Sequence, residues 1–275
     1  MKKFLESETP DLPAEKCLFH IIPAPYEKTV SYGSGTAKGP AAILEASHQL
    51  EAYDGMSCPC EQGIFTHTPS QTLEEIELAV SHVLRLGKIP VLLGGEHTVT
   101  YAALKALKEA GEKFGVIQFD AHADLRETYQ GNAFSHACVM HLAVEMNIPI
   151  FQIGIRSLSI AEVELRRNKN ISSLDGYEVG RNGIPKNLLP EDFPEKVYLT
   201  FDVDALDPSI MPSTGTPEPG GLNWFQTMEC FEQIVNSRTV LGCDFVELAP
   251  IEKLHAPDFL VARLIYNFMG LIVRK

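Results

Sequence analysis

The sequence is poor in basic residues: 23 Lys and Arg stand against 36 Asp and Glu, a formal charge of −13 over 275 residues. Such an excess repels phosphate backbones, so nucleic acid is not an expected partner, whereas a cationic small molecule is. Long apolar runs are missing too. The absence of any stretch of about 18 apolar residues argues against a membrane-spanning helix and against membrane as a partner. The start, Met1-Lys2-Lys3-Phe4-Leu5-Glu6, lacks the apolar core of a secretory signal, which makes the cytoplasm the expected compartment. Cysteines are few and scattered. Cys17, Cys58, Cys60, Cys138, Cys230 and Cys243 show no zinc-ribbon spacing and read as free thiols, the Cys58-Pro59-Cys60 pair included. A Pro/Gly/Ser linker, an internal repeat and a low-complexity tract are all lacking, so residues 1–275 read as one domain, long enough to bury a large core without staples.

What is present is the composition of a globular protein, 45% hydrophobic and 21% charged. Nearly continuous apolar runs at 17–22, 89–93, 114–119, 148–154, 197–203 and 239–246 read as buried strands. Between them, 39–52, 71–87, 99–111, 136–146, 159–168, 223–236 and 256–272 read as helices, and Leu73, Ile76, Ala79, Val83 and Leu84 form one helical stripe. Residues 54–70, 123–135 and 205–222 read as loops. The alternation predicts an α/β fold, a three-layer α/β/α sandwich around a mostly parallel sheet.

Polar residues suited to chemistry gather where predicted strands end, the place where open parallel sheets bind ligands. Gly94-Gly95-Glu96-His97 follows one strand, Asp120-Ala121-His122-Ala123-Asp124 a second, Asp202-Val203-Asp204 closes a third, and Glu247 follows a fourth. In an extended chain alternate side chains share a face, so Asp120, His122 and Asp124 are expected to point one way, as are Asp202 and Asp204. Single aspartates at such positions usually cap turns. Five carboxylates and imidazoles in two tracts converging on one side instead require a cation between them. With His97 the donors number six: too many for a closed tetrahedral zinc site, too few for two separate ions unless carboxylates bridge. Two ions about 3.5–4 Å apart share a water and turn it into hydroxide at neutral pH, which is hydrolase chemistry. The oxygen-rich set favours manganese.

The motifs together resemble the ureohydrolase family, that of arginase and agmatinase. SYGSGTAKGPAAILEAS (31–47), GGEHT (94–98), FDAHAD (119–124), SHAC (135–138), FDVDALDP (201–208), GTPEPGG (215–221) and FVELAP (245–250) carry the resemblance over nearly the whole chain. It implies an eight-stranded sheet and two Mn²⁺ per subunit, one on His97, Asp120, Asp124 and Asp202, the other on Asp120, His122, Asp202 and Asp204. It also implies that Asp124 takes a hydrogen bond from the attacking hydroxide, that His136 shuttles the proton to the leaving amine, and that Glu247 pairs with the substrate guanidinium. A homo-oligomer, trimer or hexamer, is implied as well.

Agmatine is the first expected substrate, giving putrescine and urea, with N1-aminopropylagmatine close behind. Arg126 stands where arginases carry Asn, which points away from arginine, and it leaves 4-guanidinobutyrate open if its side chain faces the pocket. Glu96 and Thr98 replace the more usual Asp and Ser, and Asp207 before Pro208 reads as a turn starter. A metal-binding homologue without turnover is the rival from another class, and a dinuclear phosphoesterase a second. Neither fits a chain that keeps His136, Glu247 and all six metal ligands and shows no basic phosphate pocket.

Overall fold

The computed structural model describes residues 2–10 and 12–275. In chain order the elements are β1 Phe19–Ala24, α1 Gly39–Ser47, β2 Ile64–Thr66, α2 Leu73–Arg85, β3 Ile89–Gly94, α3 Val99–Glu109, β4 Gly115–Phe119, α4 Val139–Glu145, β5 Ile150–Ile153, α5 Ile160–Lys169, β6 Ser172–Leu174, α6 Gly176–Asn182, β7 Lys196–Asp202, α7 Trp224–Ser237, β8 Thr239–Val246 and α8 Ala256–Arg274. The strands form one eight-stranded sheet in the order β2-β1-β3-β8-β7-β4-β5-β6. Every pair in it is parallel.

Successive strand residues face opposite sides, so each apolar run feeds two cores. Phe19 and Ile21, Val91 and Leu93, Ile117 and Phe119, and Leu199 and Phe201 meet the apolar faces of α1, α7 and α8. Ile22, Leu92, Val116 and Tyr198 meet those of α2, α3 and α4. This is the expected three-layer sandwich. On the first face Phe119, Phe201, Phe231, Phe245 and Phe268 interlock with ring centroids 4.6–6.5 Å apart. Each such pair adds about 0.5–1.5 kcal/mol beyond its burial and fixes how the central strands sit.

The sequence reading missed three short elements. β2 lies inside the expected loop 54–70, and β6 and α6 lie in a stretch assigned nothing. β2 and β6 are three-residue edge strands, too brief for a periodic signal, and α6 (GYEVGRN) holds two glycines that lower its helix propensity. The expected helix 39–52 ends at Ser47, and 136–146 opens as a 3₁₀ turn over His136–Cys138 before α4 begins. Helix α8 is, by length and composition, apolar enough to cross a membrane, although Asp258 and Arg263 interrupt its apolar residues. Half of it is buried, against α1 and α7 and the sheet between them, the setting of a core helix.

The N-terminal segment is held against β2 and the end of α1 by Phe4 N–H donating to Thr66 Oγ1 (3.0 Å) and Leu5 N–H to Ser47 Oγ (3.0 Å). His20 adds a third tie. Its Nε2 lies 3.0 Å from the Ala14 carbonyl, so that nitrogen donates and Nδ1 accepts from His67 Nε2 at 2.8 Å. Burial pushes the His67 pKa down to about 4, with the neighbouring His20 and His82 adding to the shift, and burial lowers His20 as well. Below the ordinary histidine pKa of 6.5 the unfolded chain therefore binds protons that the folded chain refuses. Stability contributed here is present at neutral pH and lost as the pH falls from about 6.5 toward about 4. His67→Gln keeps a donor to His20 but removes the titration, so its urea midpoint is expected to fall less than that of the native chain between about pH 7 and about pH 5. Equal falls would show that His67 does not govern the acid sensitivity.

Candidate dinuclear metal site

Four adjacent central strands, β3, β8, β7 and β4, end together, and each delivers part of the site. Beyond β3 the chain turns against the end of β1: Gly95 N–H bonds to the Ala24 carbonyl (2.8 Å) and Glu96 N–H to that of Tyr26 (2.8 Å). A side chain on Gly95 would collide with the Tyr26 carbonyl, so only glycine permits this approach. The turn sets His97 into the interior, 1% exposed. Its Nδ1 lies 3.0 Å from Asp124 Oδ2, 3.2 Å from Asp120 Oδ2 and 3.7 Å from Asp202 Oδ2. None of these contacts is aligned as a hydrogen bond, and Nδ1 is left without a partner among the described residues.

The two aspartate tracts converge as expected, but not by strand alternation. β4 stops at Phe119 and β7 at Asp202, and tight turns take over. Asp120 Oδ1 accepts from His122 N–H (2.6 Å), and Asp124 sits in the left-handed region at φ 51°. Asp202 Oδ1 accepts from Asp204 N–H (2.8 Å) across a 3₁₀ turn, and Asp204 Oδ1 from Ala121 N–H (2.9 Å), which locks the two tracts together. His122 Nδ1 then lies 3.0 Å from Asp204 Oδ2 and 3.6 Å from Asp120 Oδ1. The result is two ligand clusters, His97–Asp120–Asp202 and Asp120–His122–Asp204, joined through Asp120.

Burial alone would keep the histidines neutral, yet Asp120 and its fellow aspartates overcome it, holding His97 well above its ordinary pKa and His122 up to about 12. Burial, with Asp120 beside it, raises Asp124 to about 7, and burial with Asp204 and Asp120 holds Asp202 well above the usual carboxylate range. Without a cation the cluster must hold protons to exist. Behind His97 the bonding fixes its tautomer. Thr200 donates to Asp244 Oδ1 (2.6 Å), so His97 Nε2–H donates to Thr200 Oγ1 (2.8 Å), and Nδ1, which faces the carboxylates, is the nitrogen whose lone pair a cation would take in place of a proton. A buried lone pair aimed at three carboxylate oxygens fits a divalent cation, and the Thr200–Asp244 brace is the support that metal-bound imidazoles use.

Asp124, Asp202, Asp204 and Glu247 line a cavity of about 240 Å³ with His136 and Tyr129. Glu247, at φ 65°, accepts from His97 N–H through Oε1 (2.7 Å), and its Oε2 has no bond among the described residues. Burial pushes its pKa up to about 8. Burial lowers that of His136, whose Nδ1 lies 3.2 Å from Thr29 Oγ1. Arg126 also lines the cavity, its guanidinium 5.3 Å from the Tyr129 ring centroid. All eight residues singled out in the sequence thus meet at one place.

An arginase-family model matches residues 18–270. The chain belongs to the arginase family. It is a ureohydrolase, a hydrolase acting on guanidino compounds. It is 38% identical over 290 residues to the N(1)-aminopropylagmatine ureohydrolase of Synechocystis sp., covering 98% of this chain and 93% of that protein. A Thermus thermophilus enzyme of the same description is 37% identical over 272 residues, covering 95% of this chain and 92% of that protein. Among solved structures, the agmatine ureohydrolase of Thermoplasma volcanium superposes with a TM-score of 0.88 at 30% identity, covering 100% of this chain and 95% of that one.

Several supports of this ureohydrolase site escaped the sequence reading. Arg156 donates to the carbonyls of Gly154 (3.2 Å), Asp204 (2.8 Å), Glu218 (2.6 Å) and Pro219 (3.1 Å), clamping the loop after β7 to the 215–221 loop. Glu162 caps α5 through Ser159 and also accepts from Leu125 N–H (3.1 Å), next to Asp124. Asp207 does start a turn, and it further accepts from Gly220 and Gly221 N–H. Asp244, a carboxyl inside the apolar run 239–246, was the one legible signal among these.

Asp120 is the carboxylate common to both clusters, so Asp120→Asn is expected to lose both ions together. Metal analysis after dialysis should find about two ions per native chain and none held by the variant, and added metal should raise only the native unfolding midpoint. A variant that keeps two ions would remove Asp120 from the shared position.

Proposed function

We propose that this ureohydrolase is a manganese enzyme acting on a linear guanidine whose far end is an amine, agmatine or its N1-aminopropyl derivative. The observation carrying the reading is the pair of clusters joined through Asp120, opening on one cavity beside an unpaired Glu247 oxygen. Oxygen-rich donors with two imidazoles suit Mn²⁺. His97, Asp120, Asp124 and Asp202 would hold one ion, and Asp120, His122, Asp202 and Asp204 the other. When bound, two such ions supply a nucleophile from water at neutral pH and neutralise charge at the carbon under attack.

The chain's own residues do the rest. Glu247, anchored through Oε1, offers Oε2 to the N–H groups of the guanidinium, whose charge draws the carboxyl into its ionised form. Asp124, pinned by its backbone, takes a hydrogen bond from the attacking water. His136 is neutral near pH 7 because burial disfavours its charged form, so it can carry a proton to the departing amine. The products are urea and a polyamine: putrescine from agmatine, spermidine from the longer substrate.

An amine tail is supported by the relatives' own substrates and by the lining, in which Arg126 is the one lysine or arginine among the described residues. The two ureohydrolases at 37–38% identity favour the longer tail over agmatine. Arg126 in the cavity wall supports a second reading, a carboxylate-tailed guanidine such as 4-guanidinobutyrate. Urea release from N1-aminopropylagmatine, agmatine, arginine and 4-guanidinobutyrate, measured side by side with Mn²⁺, is expected to favour the first two. Preference for guanidinobutyrate would overturn the amine-tail reading in favour of Arg126 as a carboxylate partner. His136→Asn is expected to lower kcat by roughly 10²–10⁴-fold with metal content unchanged; full activity would remove His136 from the proton path.

A further inference from the structure

The surroundings of His136 carry a step that rests on the reading of that residue as the proton carrier. Thr29, in the segment after β1, accepts from the backbone N–H of His136 at 3.0 Å and lies 3.2 Å from its Nδ1. The same hydroxyl is 2.9 Å from Glu96 Oε1. Glu96 is ringed by donors: Lys28 N–H and Thr29 N–H reach Oε2 at 2.6 Å each, and the Thr98 hydroxyl reaches Oε1 at 2.8 Å. A carboxylate so placed only accepts, and its charge makes it the strongest acceptor within reach of Thr29. The single Thr29 proton therefore points to Glu96, and the 3.2 Å contact is a bond only if His136 Nδ1–H donates; Ser135 Oγ, 3.3 Å from the same nitrogen, is a second and longer contact that can accept the same proton.

We propose that Glu96 and Thr29 are positioning residues that hold His136 as the Nδ1–H tautomer, leaving Nε2 as its one proton-accepting nitrogen. The arrangement is that of an acid–histidine pair with a hydroxyl interposed: the carboxylate orients the ring and stabilises the imidazolium. Tyr129 braces the ring from another side, edge-on at 5.7 Å and 82°. In turnover Nε2 relays one of the two protons of the attacking water to the amine nitrogen, which leaves with the C–N electron pair. The other nitrogen cannot compete, because its proton is committed to Thr29.

The relay is read directly by neutron diffraction from crystals of the manganese-loaded, deuterium-exchanged protein at mildly alkaline pH. A deuteron on His136 Nδ1, directed at Thr29, is expected; a bare Nδ1 overturns the proposal. Kinetics supply the second reading. Thr29→Val is expected to lower kcat roughly 10- to 100-fold with KM and metal content unchanged, and Thr29→Ser, which restores the hydroxyl, to recover most of the loss. A Val variant at native kcat, or a Ser variant no better than Val, overturns it. The underlying reading fails separately: if His136→Asn keeps full activity while the deuteron is on Nδ1, the bonding stands and the proton-carrier role falls.

Discussion

Everything at this site depends on how five buried carboxyls can share one place. Asp120, Asp124, Asp202, Asp204 and Glu247 are each at most 7% exposed. Like charges in such surroundings repel strongly and lose their hydration. The chain answers with donors it already owns. Backbone N–H groups of Ala121, His122, Asp204 and His97 each hold one carboxylate oxygen, and Gln118 Nε2 holds another on Asp120 at 2.7 Å. These contacts fix positions without cancelling charge. The remaining excess needs protons or cations, and the lone pair of His97 Nδ1 is aimed so that cations fit better.

That demand explains the stiffness of the framework. Four parallel strands end side by side because the aromatic cluster beneath them and the helices on both faces leave no freedom of register. Asp124 and Glu247 are both held at positive φ, a strain of about 1–3 kcal/mol each that survives only where the surroundings over-determine the backbone. Arg156, half-buried, has its pKa lowered by desolvation and directs its donors to main-chain carbonyls rather than to an acid. It replaces flexible loop contacts with charge-assisted ones directly beneath Asp204.

The polar residues on one face of the central strands form a seam leading to the ligands. Gln152 donates to Gln118 and Gln118 to Asp120, while Tyr198 and Thr200 both donate to Asp244, and His97 Nε2 donates to Thr200. Buried polar groups of this kind are tolerated when they are bonded to one another. Here they also orient the first ligands of the site, so the interior of the sheet and the chemistry at its edge are one network.

Strand period and residue type made the layer order, the six long strands and the metal-ligating tracts legible in the order of the amino acids, because a buried parallel strand must be apolar and converging acids must have a counter-charge. β2, β6 and α6 were not legible, since three-residue strands and a glycine-bearing turn of helix are set by the neighbours they dock on. Alternation along an extended chain was also the wrong reason for the convergence: 120–124 and 202–204 turn on bonds within each tract and are joined where Asp204 bonds across to Ala121. The sequence determined which side chains are candidate ligands for a cation. Tertiary structure alone decided that Arg126 stands in the cavity wall, and that Glu96 reaches His136 through Thr29, 67 residues away in the chain. Those outcomes depend on strand ends brought side by side, and no local pattern encodes them.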